Sequence, residues 1–407
     1  MSPPSFAGVL IVAAVAFLVP LLLALAPRVH LPAGALELAV GIAIGPGLGW
    51  VEPDAAITVL AALGLAFLLF LAGLEVDLAH VSGGLLRRAG LAFLASAALA
   101  AAVGYALQGA ALVDSGLFVA IVLSGSYLGA IATLIHDLGA AGSEVGRLTI
   151  AGAAVANVAA VVLLTLFASG EASEVGGRLV LLAALVGVAG AVTLGVWQLE
   201  RSRRLSAALS RLGDTSAQIR VRGAFVLLVG FVALARPLGV EVILAAFTAG
   251  VVLGLIDRDA MRTHPQLQIK LDGAGYGFFI PVFLVAAGLN FDLDGLVESP
   301  SHLLMAPLFL AALLVVRGLP ALLYRPLVGG PQALAAGLMQ SISLPLIVVA
   351  TQVGEELGAV DPPTAAALVA AGLASLVILP EAAGAALRRG EGRTALPAAH
   401  GDLRGGR

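Results

Sequence analysis

One motif occurs twice in the chain, as FLLFLAGLEVDL at residues 67–78 and as VFLVAAGLNFDL at 282–293. The shared glycines, Gly73 and Gly288, stand 215 residues apart, and other segments recur in the same order at similar offsets. GIAIG at 41–45 is answered 209 residues later by GVVLG, and Ser124-Gly125-Ser126 is answered 217 residues later by Ser341-Ile342-Ser343. Thr149 of TIAGAAVANVAAVVLL pairs with Thr364 of TAAALVAAGLASLVIL at 215. The chain is built from two related halves, and its fold must follow the same path twice.

The halves are too apolar for water. Of 407 residues, 60% are hydrophobic and 12% charged, with a mean hydropathy of +1.05, values that mark an integral membrane protein. Crossing about 30 Å of hydrocarbon takes about 20 apolar helical residues. The sequence predicts thirteen such spans, at 6–26, 31–49, 55–75, 85–109, 115–138, 147–168, 178–199, 219–236, 239–256, 272–290, 302–324, 331–353 and 362–387. The first run lacks a basic leader, so it is expected to be a span and not a cleaved signal.

Basic residues accumulate in cytoplasmic loops. With the N-terminus outside, 19 of the 22 lysines and arginines fall on the inner side, and only Arg178, Arg236 and Arg317 do not. The C-terminus is therefore expected in the cytoplasm. A composition with one lysine, 21 arginines and abundant alanine and glycine suggests a GC-rich bacterial genome and an inner-membrane location. Cysteine is absent, which removes disulfide and thiol chemistry.

Residues 6–168 form the first predicted repeat and 219–387 the second, with one linker helix, 178–199, between them. An odd insert turns the second repeat upside down. Inverted repeats are the architecture of secondary transporters, whose site lies near mid-membrane between the halves and is marked by hydrophobic segments interrupted at matching positions. Such a pair is present. VLSGSYLGA places Ser124, Gly125 and Ser126 within one span, and MQSISLPLI places Ser341, Ser343 and Pro345 within its repeat mate. Glycine weakens a helix, and proline removes a donor and clashes with the preceding turn. Both segments are expected to unwind and line a cavity, with ordinary kinked helices as the simpler alternative.

Four segments carry a family resemblance: LPAGALELAVGIAIGPGLG at 31–49, LGLAFLLFLAGLEVDL at 63–78, FFIPVFLVAAGLNFDL at 278–293 and SISLPLIVVATQVGEELG from Ser341. In this order they resemble the monovalent cation:proton antiporter-2 family, the Kef-type sodium or potassium/proton exchangers. The resemblance implies an all-α membrane fold of about thirteen helices, in two inverted repeats of six whose discontinuous helices cross. It also implies a homodimer and an elevator-like movement of the core. Many relatives carry a cytoplasmic nucleotide-binding domain, whereas residues 389–407 here read as a short disordered tail. No such domain, cofactor or metal is expected.

The family's exchanging group is an aspartate in the sixth span, one of a polar pair. The matching stretch here is AGAAVANVAAVV, with Asn157 at the functional position and no carboxylate beside it. An amide can coordinate a cation but cannot carry a proton. Glu37 is the one acidic residue well inside a span, so it is either a relocated proton carrier or a structural or dimer contact. Arg317, the one basic residue within a span, either compensates carbonyl ends at the crossing or snorkels to the interface. Ser124, Ser126, Ser341, Ser343 and Asn157 are the candidate substrate-binding residues, Asn157 having an interhelical amide bond as its simpler reading. His136 and Asp137 are expected at the interface, and Glu75 and Asp77 at the cytoplasmic end of the third span, with Asp77 and Asp292 as caps.

Phosphate-cradling, metal-spaced and triad motifs are missing, and no basic–aromatic pattern suggests nucleic acid. An enzyme is not expected. The leading expectation is exchange of Na⁺ or K⁺ for H⁺. Two alternatives share the fold: transport of another solute or without protons, and a non-transporting sensor or subunit.

Overall fold

The computed structural model describes residues 6–25, 31–75, 83–168, 187, 190, 218–235, 241–256 and 266–394. Every regular element among them is helical. They are α1 (Phe6–Leu25), α2 (Ala33–Ile42), α3 (Ala55–Leu74), α4 (Gly83–Gly109), α5 (Gly116–Ser124), α6 (Leu128–Asp137), α7 (Glu144–Ala168) and α8 (Ile219–Ala235). The second half continues with α9 (Val242–Ile256), α10 (Gln266–Leu289), α11 (Leu293–Glu298), α12 (Pro300–Val328), α13 (Gly330–Gln340), α14 (Leu344–Glu356) and α15 (Pro362–Thr394). Taking α5 with α6 and α13 with α14, these helices account for twelve of the thirteen predicted spans. The linker span 178–199, the arginines at 201–211 and Asp77 lie outside the described residues.

The observed helices often outrun the apolar stretches, because a helix does not end where lipid does. Thus α12 runs from Pro300 to Val328 and α15 continues past Arg388 to Thr394, into the stretch read as tail; residues 395–407 lie outside the described residues. Polar caps close some ends. Asp54 accepts from Ile57 N at 2.8 Å at the start of α3, and Asp292 accepts from Gly295 N at 3.0 Å at the start of α11.

Close helix contacts explain the repeated glycines. A Cβ on Gly41 of α2 would lie 2.3 Å from the carbonyl oxygen of Val285 in α10, and one on Gly288 would lie 2.4 Å from that of Leu38. The same happens between α3 and α9, where Gly73 would meet the Phe247 oxygen at 2.1 Å and Gly250 would meet that of Phe70. Gly41 matches Gly250, and Gly73 matches Gly288, so the repeat converts one contact into the other. Only residues without a side chain let two backbones approach this far, the use small residues serve between membrane helices.

Candidate functional site

Both interrupted segments are broken where the serines stand. Residues 125–127 separate α5 from α6, and residues 341–343 separate α13 from α14. The two breaks touch. Tyr127 N donates to Ile342 O at 2.7 Å, and Ser126 Oγ donates to Gln340 O at 2.5 Å. A Cβ on Gly125 would overlap the Leu346 side chain, which would have to turn aside to make room. Backbone groups released by each break are thus partly satisfied by the other, the condition for irregular chain inside a membrane protein.

Arg317 is 1% exposed and bound to this crossing. Its Nε donates to Ser126 Oγ at 2.9 Å, Nη1 to Ser96 Oγ at 3.1 Å and Nη2 to Gly152 O at 3.5 Å. Among the described residues no carboxylate lies within ion-pair distance of it. Local sequence arranges this setting. Pro320 lacks an N–H and cannot donate to the Val316 carbonyl four residues earlier, and just before it α12 widens into a π turn at Leu314–Gly318. That carbonyl accepts from Ser96 Oγ at 2.7 Å, which fixes the hydroxyl to receive Arg317.

The candidate serines differ in what they do. Ser124 Oγ donates to Ile121 O at 2.8 Å within its own helix, whereas Ser341 Oγ donates to Gly337 O at 2.9 Å and also lies 3.4 Å from Leu313 O in α12. Ser126 joins the two breaks to Arg317. Ser343 Oγ is buried without a partner, while its backbone N donates to Ser375 Oγ at 3.4 Å.

Asn157 on α7 is 7% exposed, and no described residue pairs with its side chain. It faces a pocket of about 30 Å³ beside the crossing, whose wall includes Glu75, Ser126, Tyr127, Tyr276 and Pro345. That space suits a water molecule or a bare ion. A second cavity, of about 750 Å³, shares Glu75, Tyr127, Tyr276 and Pro345 with it and opens toward the end of the bundle that carries Pro32, Asp137 and Glu381. Glu37, 4% exposed, lines this larger cavity and is not on the wall that holds Asn157. His136 and Asp137 are 85% and 68% exposed, at the helix end expected for them.

Sequence reasoning missed Ser96, Gln340, Tyr127 and the orientation of Glu75. Ser96 is a lone hydroxyl in an alanine-rich run and gives no signal. Gln340 adjoins the Ser341 interruption and could have been read with it. Glu75 follows α3 at its C-terminal end, where the sequence places it at the membrane edge, yet it lies on the pocket wall.

The profile of the family described as "Sodium/hydrogen exchanger, transmembrane" matches residues 13–388. The chain belongs to this family. Its members are membrane transporters and not enzymes, and the chain is accordingly a multi-pass membrane protein. It is 28% identical over 396 residues to YjbQ of Bacillus subtilis, a protein named for Na(+)/H(+) antiport, with 93% of this chain and 63% of that protein covered. It is 28% identical over 278 residues to the Na(+)/H(+)-K(+) antiporter GerN of Bacillus cereus, covering 67% of this chain and 68% of that one. The chain thus spans less than two thirds of the length of YjbQ. The solved structure of the sodium proton antiporter MjNhaP1 from Methanocaldococcus jannaschii at pH 8 aligns with a TM-score of 0.61, over 94% of this chain and 98% of that one at 18% identity. At that identity the likeness concerns the fold, and the all-helical antiporter fold expected from the sequence is the one found.

Proposed function

We propose that this protein exchanges a monovalent cation, Na⁺ or K⁺, for protons by alternating access to the pocket beside the helix crossing. The observation that carries the reading is the unpartnered amide of Asn157 facing a space of about 30 Å³ at the point where two broken helices meet. A pocket of that size admits a water molecule or a dehydrated ion. The names of YjbQ and GerN, both for cation and proton antiport, support the same chemistry. Within the family, the four motifs favour the Kef-type branch.

The charges at the crossing are consistent with this reading. The hydroxyl to which Arg317 donates in turn donates a hydrogen bond to the Gln340 carbonyl at the C-terminal end of α13, so the cation opposes the negative pole of a half-helix. Arg317 is the proposed charge-compensating residue, and Ser126, Ser343 and Asn157 border the ion site. Arg87, Arg88, Arg147, Arg325 and Arg388 stand at the end to which the larger cavity opens, so we assign that end to the cytoplasm and the conformation as inward-facing. In this assignment the protein works in the bacterial inner membrane as a homodimer whose crossed-helix core moves.

The test is uptake of radiolabelled Na⁺ or Rb⁺ into proteoliposomes with an acidic lumen. Uptake that collapses when the pH gradient is dissipated supports exchange. Uptake indifferent to the gradient contradicts it.

A further inference from the structure

We propose that Glu75 is the exchangeable carboxylate of this chain, binding either a proton or a small monovalent cation in the pocket it shares with Asn157 and replacing the aspartate missing from α7. This inference rests on the exchange reading above and locates its proton carrier. Glu37, the candidate expected from the sequence, lines the outer cavity only.

Two half-helices begin at this pocket. Leu128 and Gly129 open α6, Pro345 and Leu346 open α14, and all four residues line its wall. Each helix N-terminus carries roughly half a positive charge, so together they present about one positive charge to anything that enters. Arg317, held on Ser126 of the same wall, answers the negative C-terminal pole of α13 and does not offset these N-terminal poles. A bare cation is repelled from such a place unless an anion is there. Asn157 offers a carbonyl oxygen but no charge. Among the described residues, Glu75 is the one carboxylate lining the pocket.

The unpartnered amide is the independent sign of a ligand. Among the described residues nothing hydrogen-bonds to the Asn157 side chain, which is 7% exposed, so what meets its amide comes from the pocket, as water or as an ion. A cation bridging the Asn157 carbonyl oxygen and the Glu75 carboxylate satisfies both at once. The Tyr127 backbone, anchored on Ile342, positions a phenol on the same wall.

The cycle balances in charge. With Glu75 protonated the pocket is empty of cation; as the cation enters, the carboxylic acid releases its proton to the larger cavity, which reaches Glu75 directly. The other titratable groups on that cavity are Glu37, Tyr127, Asp137, Asp272, Tyr276 and Glu381. None except Tyr127 and Tyr276 also lines the small pocket, and phenols stay neutral at physiological pH.

The experiment measures proton release when NaCl or KCl is added to purified, detergent-solubilised full-length protein in weak buffer, with choline chloride as the blank. Wild type is expected to release protons, and Glu75→Gln to fall to the blank. Release from Glu75→Gln equal to wild type overturns the inference, as does loss of release in Glu37→Gln with retention in Glu75→Gln. Absence of release from wild type instead overturns the exchange reading itself. Should Glu75→Gln fail to fold, Glu75→Asp decides. A shifted pH midpoint of release supports a titrating role, whereas an unchanged midpoint shows that position 75 only packs.

Discussion

The guanidinium of Arg317 reaches Ser126 Oγ at 2.9 Å, and the same hydroxyl donates to the Gln340 carbonyl at 2.5 Å, so one serine couples a buried cation to both interrupted helices. Arg317→Lys keeps the charge but loses the fork that meets Ser126 and Ser96 together. Unsatisfied buried groups cost about 1–3 kcal/mol each. Arg317→Lys is expected to lower the unfolding midpoint in detergent by several degrees, and Arg317→Met to lower it further and reduce the yield of monodisperse protein. Scanning fluorimetry measures both.

Ser124 and Ser126 give a contrast within a single segment. Ser124 serves only the carbonyl of Ile121 in its own helix, whereas Ser126 bridges three elements. Ser126→Ala should therefore destabilise by about 2 kcal/mol through the partners it leaves, and Ser124→Ala by less than about 1 kcal/mol. Comparable losses at the two positions would mean that the bridge contributes nothing.

The backbone contacts at Gly73 and Gly250 leave no room for a methyl group. Gly73→Ala places a carbon 2.1 Å from the Phe247 oxygen and must push α3 away from α9. Overpacking of this kind costs about 1–3 kcal/mol and often more when backbone is the obstacle. Gly90 in α4 has open space around the same position, so Gly90→Ala should be neutral or stabilise by about 0.5–1 kcal/mol through helix propensity. Thermal midpoints of the two variants test the difference.

Among the described residues none hydrogen-bonds to the Asn157 side chain, so its substitution separates binding from folding. Asn157→Ala should leave the unfolding midpoint within a degree or two in cation-free buffer while weakening cation binding by about tenfold, or 1.4 kcal/mol. Asn157→Asp adds a second carboxylate to the pocket and should strengthen cation binding at alkaline pH. Isothermal titration with NaCl and KCl reads both effects.

Much of this fold is legible in the sequence because the membrane imposes few solutions. Length of apolar run gave the spans, and the matched interruptions at Ser124–Ser126 and Ser341–Ser343 showed where two helices would break, because helix-weakening residues cluster at corresponding positions of both repeats. The glycine motifs at 41–45 and 67–78 were visible as repeats, but their cause, backbone contact between the halves, depends on pairing in space. Arg317 was conspicuous as a charge among apolar residues. Its partners were not, since Ser96 lies 221 residues away and Gly152 offers only a carbonyl. Glu75 shows the limit most clearly: by position it ends a helix, and only the approach of α6, α7 and α14 turns it toward a pocket.

Internal pH in proteoliposomes is the most direct measure of the central claim. With purified wild-type protein and a lumen loaded with a pH-sensitive dye, an imposed acid-inside gradient should dissipate on external addition of Na⁺ or K⁺ and persist on addition of choline. An acid-inside gradient that survives every monovalent cation, in vesicles shown to contain folded protein, would contradict cation–proton exchange at the crossing.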